Sequence, residues 1–132
     1  MGLFDKLFRR NTEDDDGPAV SRPLDQEART AQLTELEDAL EALVTAMETP
    51  PSPTENPGWQ GRIKDYRWAQ GGCLMLKKTV ITRDGLVEVT AGLRPLFGVD
   101  GPPEGLGHLA ALSDDVIAKA RVLEAPLPSE QA

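Results

Sequence analysis

Apolar residues recur at helical spacing in the segment LDQEARTAQLTELEDALEALVTAME, which predicts an amphipathic helix over residues 24–48. The apolar positions alternate three and four residues apart and form one stripe along the helix. They are Leu33, Leu36, Leu40, Leu43 and Met47. We expect this stripe to pack on the protein's own core, and the alternative is a short coiled-coil homodimer through the same five side chains. Most acids of the segment fall outside the stripe, without a lysine partner in the segment.

Residues 73–93, CLMLKKTVITRDGLVEVTAGL, are best explained by a β-hairpin. The β-branched residues at 80–82 and 87–90 favour strand, and Asp84-Gly85 supplies a two-residue turn. In that register one face carries Leu74, Leu76, Val80, Val87, Val89 and Leu93. The alternative is a helix over 86–94 capped by Asp84, which the β-branched run disfavours.

Proline, glycine and serine mark the boundaries between these elements. The stretch TPPSPTENPG predicts a semi-rigid linker over 49–58, and Gly71-Gly72 ends the segment that follows it. The segment SDDVIAKARVLEA predicts a C-terminal helix with Ser113 as its N-cap, and PLPSEQA predicts a disordered tail over 125–132. We therefore predict an α+β protein, in which a long helix is followed by a small α+β unit over 59–124.

The first ten residues, MGLFDKLFRR, separate into two arcs when drawn at about 100° per residue. The apolar arc, about 140° wide, holds Leu3, Phe4, Leu7 and Phe8. The opposite arc holds Asp5, Lys6, Arg9 and Arg10. So short a helix is marginal in water, so we expect residues 1–10 to become helical when the apolar face meets another surface. A membrane surface, a groove on a partner protein and the chain's own domain are the three alternatives for that surface.

The stretch MGLFDKLF resembles the first residues of the bacterial phage-shock-protein A family. Members of that family bind membranes through an N-terminal amphipathic helix, so the resemblance implies that this N-terminal peptide can bind a membrane surface. The resemblance covers eight of the 132 residues. Family members continue as long coiled coils, and this chain does not.

The net charge of −8 is spread unevenly along the chain. Segment charges are +2 for 1–10, −10 for 11–57, +4 for 58–98 and −4 for 99–132. Within the acidic part, the stretch NTEDDDGPAVSRP over 11–23 predicts a flexible tether. This layout lets the acidic segment lie against the basic middle, within one chain or between two. It argues against nucleic acid as a partner.

Aromatic rings and bases alternate in the segment GWQGRIKDYRW, which is a second candidate partner-binding site. Its residues are Trp59, Arg62, Tyr66, Arg67 and Trp68. Such an alternation can stack on single-stranded nucleic acid. The same rings are also most of the large ones available to a core, so we favour core packing and keep a protein-binding patch as the alternative.

The single cysteine and single histidine limit the chemistry available to the chain. Cys73 could act as a nucleophile with Lys77 and Lys78 nearby, but a lone cysteine at the start of a strand is more often a core residue. Cys73 and His108 alone cannot form a tetrahedral zinc site. We therefore predict no catalytic residue, no metal site, no cofactor and no small-molecule substrate.

Localisation and function follow from these features. No apolar run approaches the roughly 18 residues of a membrane span, no secretory signal is present, and one cysteine fits a reducing compartment. We expect a cytoplasmic bacterial protein that can sit peripherally on the inner face of the membrane. The predicted function is that of a non-enzymatic adaptor attached to a membrane surface or a larger complex through residues 1–10. The alternatives are a regulatory protein-binding module at 59–68 and a small thiol-dependent enzyme at Cys73.

Overall fold

The computed structural model describes residues 24–130, which form four α-helices followed by one short 3₁₀ helix. The α-helices are α1 Gln26–Met47, α2 Pro57–Lys77, α3 Arg83–Thr90 and α4 Gly107–Glu124, and the 3₁₀ helix is Pro128–Glu130. α1 packs against α2 and α4, and α3 contacts the same two helices. The described part of the chain is therefore all-helical, and the predicted α+β fold is wrong.

The helix predicted over 24–48 is present as α1, and its apolar stripe is fully buried in the core. The carboxylate of Asp25 caps the helix by accepting a hydrogen bond from the backbone N–H of Ala28 at 3.0 Å. The stripe packs inside its own chain, among side chains of the other three helices. A homodimer through the same five side chains would require this core to open, so the structure does not favour that interface.

The predicted β-hairpin is absent from residues 24–130, where its sequence forms the end of α2, a linker and α3. The hydroxyl of Thr82 caps α3 by accepting from the N–H of Gly85 at 3.0 Å, so Asp84-Gly85 lies in the first helical turn. The alternative prediction, a helix over 86–94 capped by Asp84, is closer to the structure. The observed helix α3 is capped by Thr82 instead and ends at Thr90. Strand preference is weak, and burial of apolar residues from α3 in the core outweighs it.

Gly71-Gly72 does not end its segment, because α2 continues through both glycines to Lys77. A β-carbon at Gly72 would lie 3.2 Å from Cγ2 of Val89. A β-carbon at Gly85 would lie only 2.7 Å from Cδ1 of Leu76. These two glycines let α2 and α3 approach closely, and the contact between the helices offsets the poor helix propensity of glycine.

Gly71→Ala is expected to raise the free energy of unfolding by up to about 1 kcal/mol. No atom outside its own helix lies within 4 Å of the position a β-carbon would take there, so only the gain in helix propensity remains. Gly72→Ala is the matched control, because its β-carbon would press on Val89. Urea denaturation measures both, and an equal gain in the two variants would contradict the close approach of α2 and α3.

Ser113 is not an N-cap, because α4 begins six residues earlier, at Gly107. Its buried hydroxyl instead accepts a hydrogen bond from the backbone N–H of Leu96 at 2.8 Å. Leu106, which precedes α4, makes no side-chain cap. The true start of the helix therefore lacks the usual sequence signal, and the sequence Ser-Asp-Asp inside the helix imitates one.

The predicted disordered tail is also wrong for residues 125–130, which are held against α1 by a buried ion pair. Arg29 donates from Nη2 to Oε1 of Glu130 at 2.6 Å and from Nε to Oε2 at 2.8 Å. Oε2 also accepts from the backbone N–H of Asp25 at 2.9 Å. We call Arg29, Glu130 and Asp25 the latch. It ties the start of α1 to the end of the described chain.

Two acids of α1 pair with bases of α2, so the part of the acidic segment that the structure describes lies against the basic middle within one chain. Lys77 pairs with Glu37, and both side chains are largely buried. Arg67 pairs with Glu41 at 2.9 Å, in a more exposed position. Glu37 and Glu41 therefore find bases on α2, and Glu35 lies 3.8 Å from Nζ of Lys119 on α4. The exposed pairs add little stability.

Candidate functional site

The largest apolar side chains left open on the described body lie along one face of α2. Trp68 is 65% exposed and Met75 is 61% exposed. Two hollows of about 280 and 330 Å³ adjoin there and share the side chains of Trp68 and Val89. We call this surface the α2–α3 groove, and it is lined by Asp65, Trp68, Ala69, Gly72, Met75, Leu76, Thr79, Gly85, Glu88, Val89, Gly92 and Arg94.

The groove exists because α2 is one continuous helix. Trp68, Gly72 and Met75 are spaced i, i+4 and i+7, so they share one helical face. Because Gly72 has no side chain, α3 can pack closely against α2 at this point. Trp68 and Met75 precede and follow that contact along α2. Val89 of α3 lines the floor and is itself almost fully buried. The groove is thus an open apolar channel between two packed helices.

Charge at the groove is mixed, with acids in the majority. Asp65 and Glu88 belong to its lining, and Arg94 lies at the end near Asp65. An exposed base, Lys78, follows the end of α2 beside Thr79. An apolar groove with a net acidic lining suits an amphipathic segment whose apolar side is flanked by bases.

Three residues of the predicted 59–68 site face the loop that follows α3 rather than the groove. The indole Nε1 of Trp59 donates to the carbonyl of Met47 at 2.8 Å, and its ring lies 6.4 Å from that of Phe97. The buried Tyr66 donates from its hydroxyl to the carbonyl of Arg94 at 2.7 Å. Arg62 donates to the carbonyl of Pro95 at 2.7 Å and to the hydroxyl of Tyr66 at 2.9 Å. These side chains fix the loop in place.

The remaining two residues point in different directions. Arg67 reaches α1 and its C-terminal end, where it pairs with Glu41 and with the C-cap residue Glu48. Trp68 alone lies in the groove. The five residues therefore do not form one patch. Sequence reasoning missed Met75 and Val89, because both were assigned to a hairpin, and only a helix that continues through Gly72 places Met75 beside Trp68.

The primary predicted site lies outside the described residues. It comprises Leu3, Phe4, Lys6, Leu7, Phe8, Arg9 and Arg10 of the N-terminal peptide. The same holds for the tether over 11–23. The described chain begins at Leu24, just before α1.

Cys73 is fully buried and belongs to the hydrophobic core, and it does not line the groove. Burial raises the pKa of its thiol to about 12, and the nearby Glu37 adds to the increase. A nucleophilic cysteine needs the reverse, a lowered pKa and access to substrate. The geometry therefore does not support a thiol-dependent enzyme at Cys73.

The described body is thus an all-helical unit with an open apolar groove. Comparison with known proteins finds no matching protein family, no similar curated protein and no similar solved structure. Within residues 24–130, no helix combines the length and apolar composition needed to cross a membrane. The same residues contain no group of three or more histidine, cysteine or acidic side chains placed to hold a metal ion.

Proposed function

We propose that the protein is a non-enzymatic adaptor that attaches to a membrane surface or a larger complex through its N-terminal peptide, residues 1–10. The observation that carries the proposal is the complete separation of apolar and charged side chains in that peptide. The described residues form the folded body that the peptide would attach to a surface. Side chains of all four helices form one core, so the peptide is joined to a body that is already folded.

Membrane attachment is the version that the peptide's chemistry favours. Its two phenylalanines and two leucines would enter the boundary between head groups and acyl chains. Lys6, Arg9 and Arg10 would each add about 1 kcal/mol near an anionic leaflet. The acidic run at 13–16 opposes this attraction, because a charged surface acts on it over a Debye length of about 8 Å. We therefore expect weak binding that falls as the salt concentration rises.

Phe4→Ser/Phe8→Ser in the full chain is expected to abolish binding to vesicles that contain anionic phospholipid, because it removes half of the large apolar side chains from the inserting face. Co-sedimentation with the vesicles at low salt measures the bound fraction. Val80→Ser/Val99→Ser is the matched control, because it removes two exposed apolar side chains from the described body instead. Equal sedimentation of the wild type and the phenylalanine variant would overturn membrane attachment.

The exposure of Trp68 favours a second candidate function, a protein-binding module. The site would be the α2–α3 groove rather than the whole 59–68 segment, because only Trp68 of the five predicted residues lies there. Large exposed aromatic side chains in a hollow are typical of residues that dominate binding energy at interfaces. Trp68→Ala tests this candidate in a pull-down with a purified partner, and unchanged capture would contradict it.

A further inference from the structure

We propose that residues 1–10 dock into the α2–α3 groove of their own chain and hold the adaptor in a closed state until a surface competes for the peptide. The inference rests on the proposed function for its consequence, since a docked peptide is withheld from the membrane. The docking itself is argued from three features: the position of the start of α1 beside the groove, the lengths of the groove and the peptide, and the charges of the groove lining and the peptide.

The start of α1 lies beside one end of the groove. The side-chain amide of Gln26 accepts from the backbone N–H of Ile81 at 2.8 Å and donates to its carbonyl at 2.9 Å. Thr79, two residues before Ile81, lines the groove. Leu24 is two residues before Gln26. The chain that precedes the described body is therefore attached at the mouth of the hollow.

The lengths of the two parts match. From Asp65 to Leu76 the groove follows twelve residues of α2, or roughly 18 Å at the helical rise. A helix of ten residues spans about 15 Å. The tether over 11–23 can extend to roughly 45 Å. It is long enough to let the peptide lie along the groove in the same chain.

The chemistry of the two surfaces is complementary. Trp68 and Met75 offer an apolar channel, and the peptide offers an apolar arc that carries two phenylalanine rings. The groove lining holds two acids, Asp65 and Glu88, and one base, Arg94, so it is net acidic, whereas the peptide carries a net charge of +2. The exposed Lys78 precedes the groove residue Thr79 in the chain and is a base that can pair with the acidic run of the tether.

The tether makes even weak docking effective. A short flexible linker gives the peptide an effective concentration of the order of millimolar at the groove. A groove with only millimolar intrinsic affinity would then hold about half of the molecules closed. Any surface that binds the peptide more tightly would shift the population to the open state.

Docking is tested in the full chain with a nitroxide attached at Asp5→Cys, on the charged arc of the peptide. Cys73 is buried, so the wild-type chain treated in the same way is the labelling control. We expect the label to broaden the backbone amide signals of Met75 and Val89 at all protein concentrations, and Phe4→Ser/Phe8→Ser to abolish this broadening. No broadening would overturn the proposal. Broadening that occurs only between a labelled chain and a separate isotope-labelled chain would also overturn it, in favour of a second copy as the occupant.

Vesicle binding separates the inference from the proposed function. Trp68→Gln/Met75→Gln, which changes two exposed side chains, should release the peptide and raise the apparent vesicle affinity about two- to tenfold. Val87→Gln is the matched control, because Val87 is an exposed apolar residue of α3 that does not line the groove. An unchanged affinity in the double variant overturns the closed state. Persistent broadening in a chain that binds vesicles in neither form overturns membrane attachment and leaves docking in place.

Discussion

Arg29→Met is expected to lower the free energy of unfolding by about 3 kcal/mol, at the lower end of the cost of breaking a buried ion pair. Methionine keeps most of the volume of the arginine stem but leaves the Glu130 carboxylate without its main partner. It also removes the donor to the carbonyl of Ala125 at 2.8 Å. Residues 125–130 can move outward to hydrate the carboxylate, which keeps the loss from being larger. Chemical denaturation at neutral pH measures the effect.

Two further variants locate the effect at the latch. Arg121→Met removes an exposed arginine from α4 and should change stability by no more than about 0.5 kcal/mol. Glu130→Gln should cost about 2 kcal/mol, because an amide replaces a charge-assisted acceptor. The double variant of Arg29 and Glu130 should lose less than the sum of the two single losses. A loss in Arg29→Met no greater than in Arg121→Met would contradict a stabilising role for the latch.

Lowering the pH is expected to remove most of the stability that the latch provides, over a pH range set by the titration of Glu130. Hydrogen bonds from Arg29, together with those from the N–H groups of Asp25 and Leu127, lower the pKa of Glu130 from 4.5 to about 2. A carboxyl whose folded pKa is depressed contributes stability that is fully present above the unfolded pKa and is lost as pH falls towards the folded pKa. The stability that the latch provides should therefore be constant above about pH 5 and decline between pH 4.5 and 2.

The comparison of wild type with Glu130→Gln isolates this titration. The charged groups that face Glu130 are Arg29, Arg83 at 3.7 Å and Asp25. Asp25 also has a lowered pKa, mainly because it accepts a hydrogen bond from the hydroxyl of Ser129; the charge of Glu130 is a lesser cause that raises this pKa, so most of the Asp25 titration is common to both proteins. The difference in unfolding free energy between the two proteins should shrink as pH falls from 4.5 to 2. A difference that stays constant over that range would contradict the assignment.

The helices that the sequence predicts correctly are those whose signals are local. The three- and four-residue spacing of the leucines identifies α1, because a single helical face then has to be buried. The region 73–93 was misassigned because its local signals compete. Asp84-Gly85 is typical of a turn, whereas the same residues form the first turn of a helix when Thr82 supplies the cap. The deciding contribution is tertiary, since Leu86 and Val89 join a core that the local sequence does not show.

The candidate sites were harder to predict for the same reason. Arg29 and Glu130 are 101 residues apart, and neither lies in a pattern that marks it as one half of a pair. Trp68 was recognised as a candidate, but its neighbour Met75 becomes visible only when α2 is continued through Gly72. The inward orientation of Tyr66 depends on the loop at Arg94, which contains no recognisable motif.

The latch also has a topological consequence. Because Asp25 bonds directly to Glu130, the chain from one to the other forms a closed ring of helices. A ring can be opened at another position without losing its contacts, provided that the new break is exposed. The turn at Asp100-Gly101, between α3 and α4, lies in an irregular segment beside the fully exposed Val99. A circular permutant opened there, with residues 130 and 25 joined by a short linker, should keep the same fold.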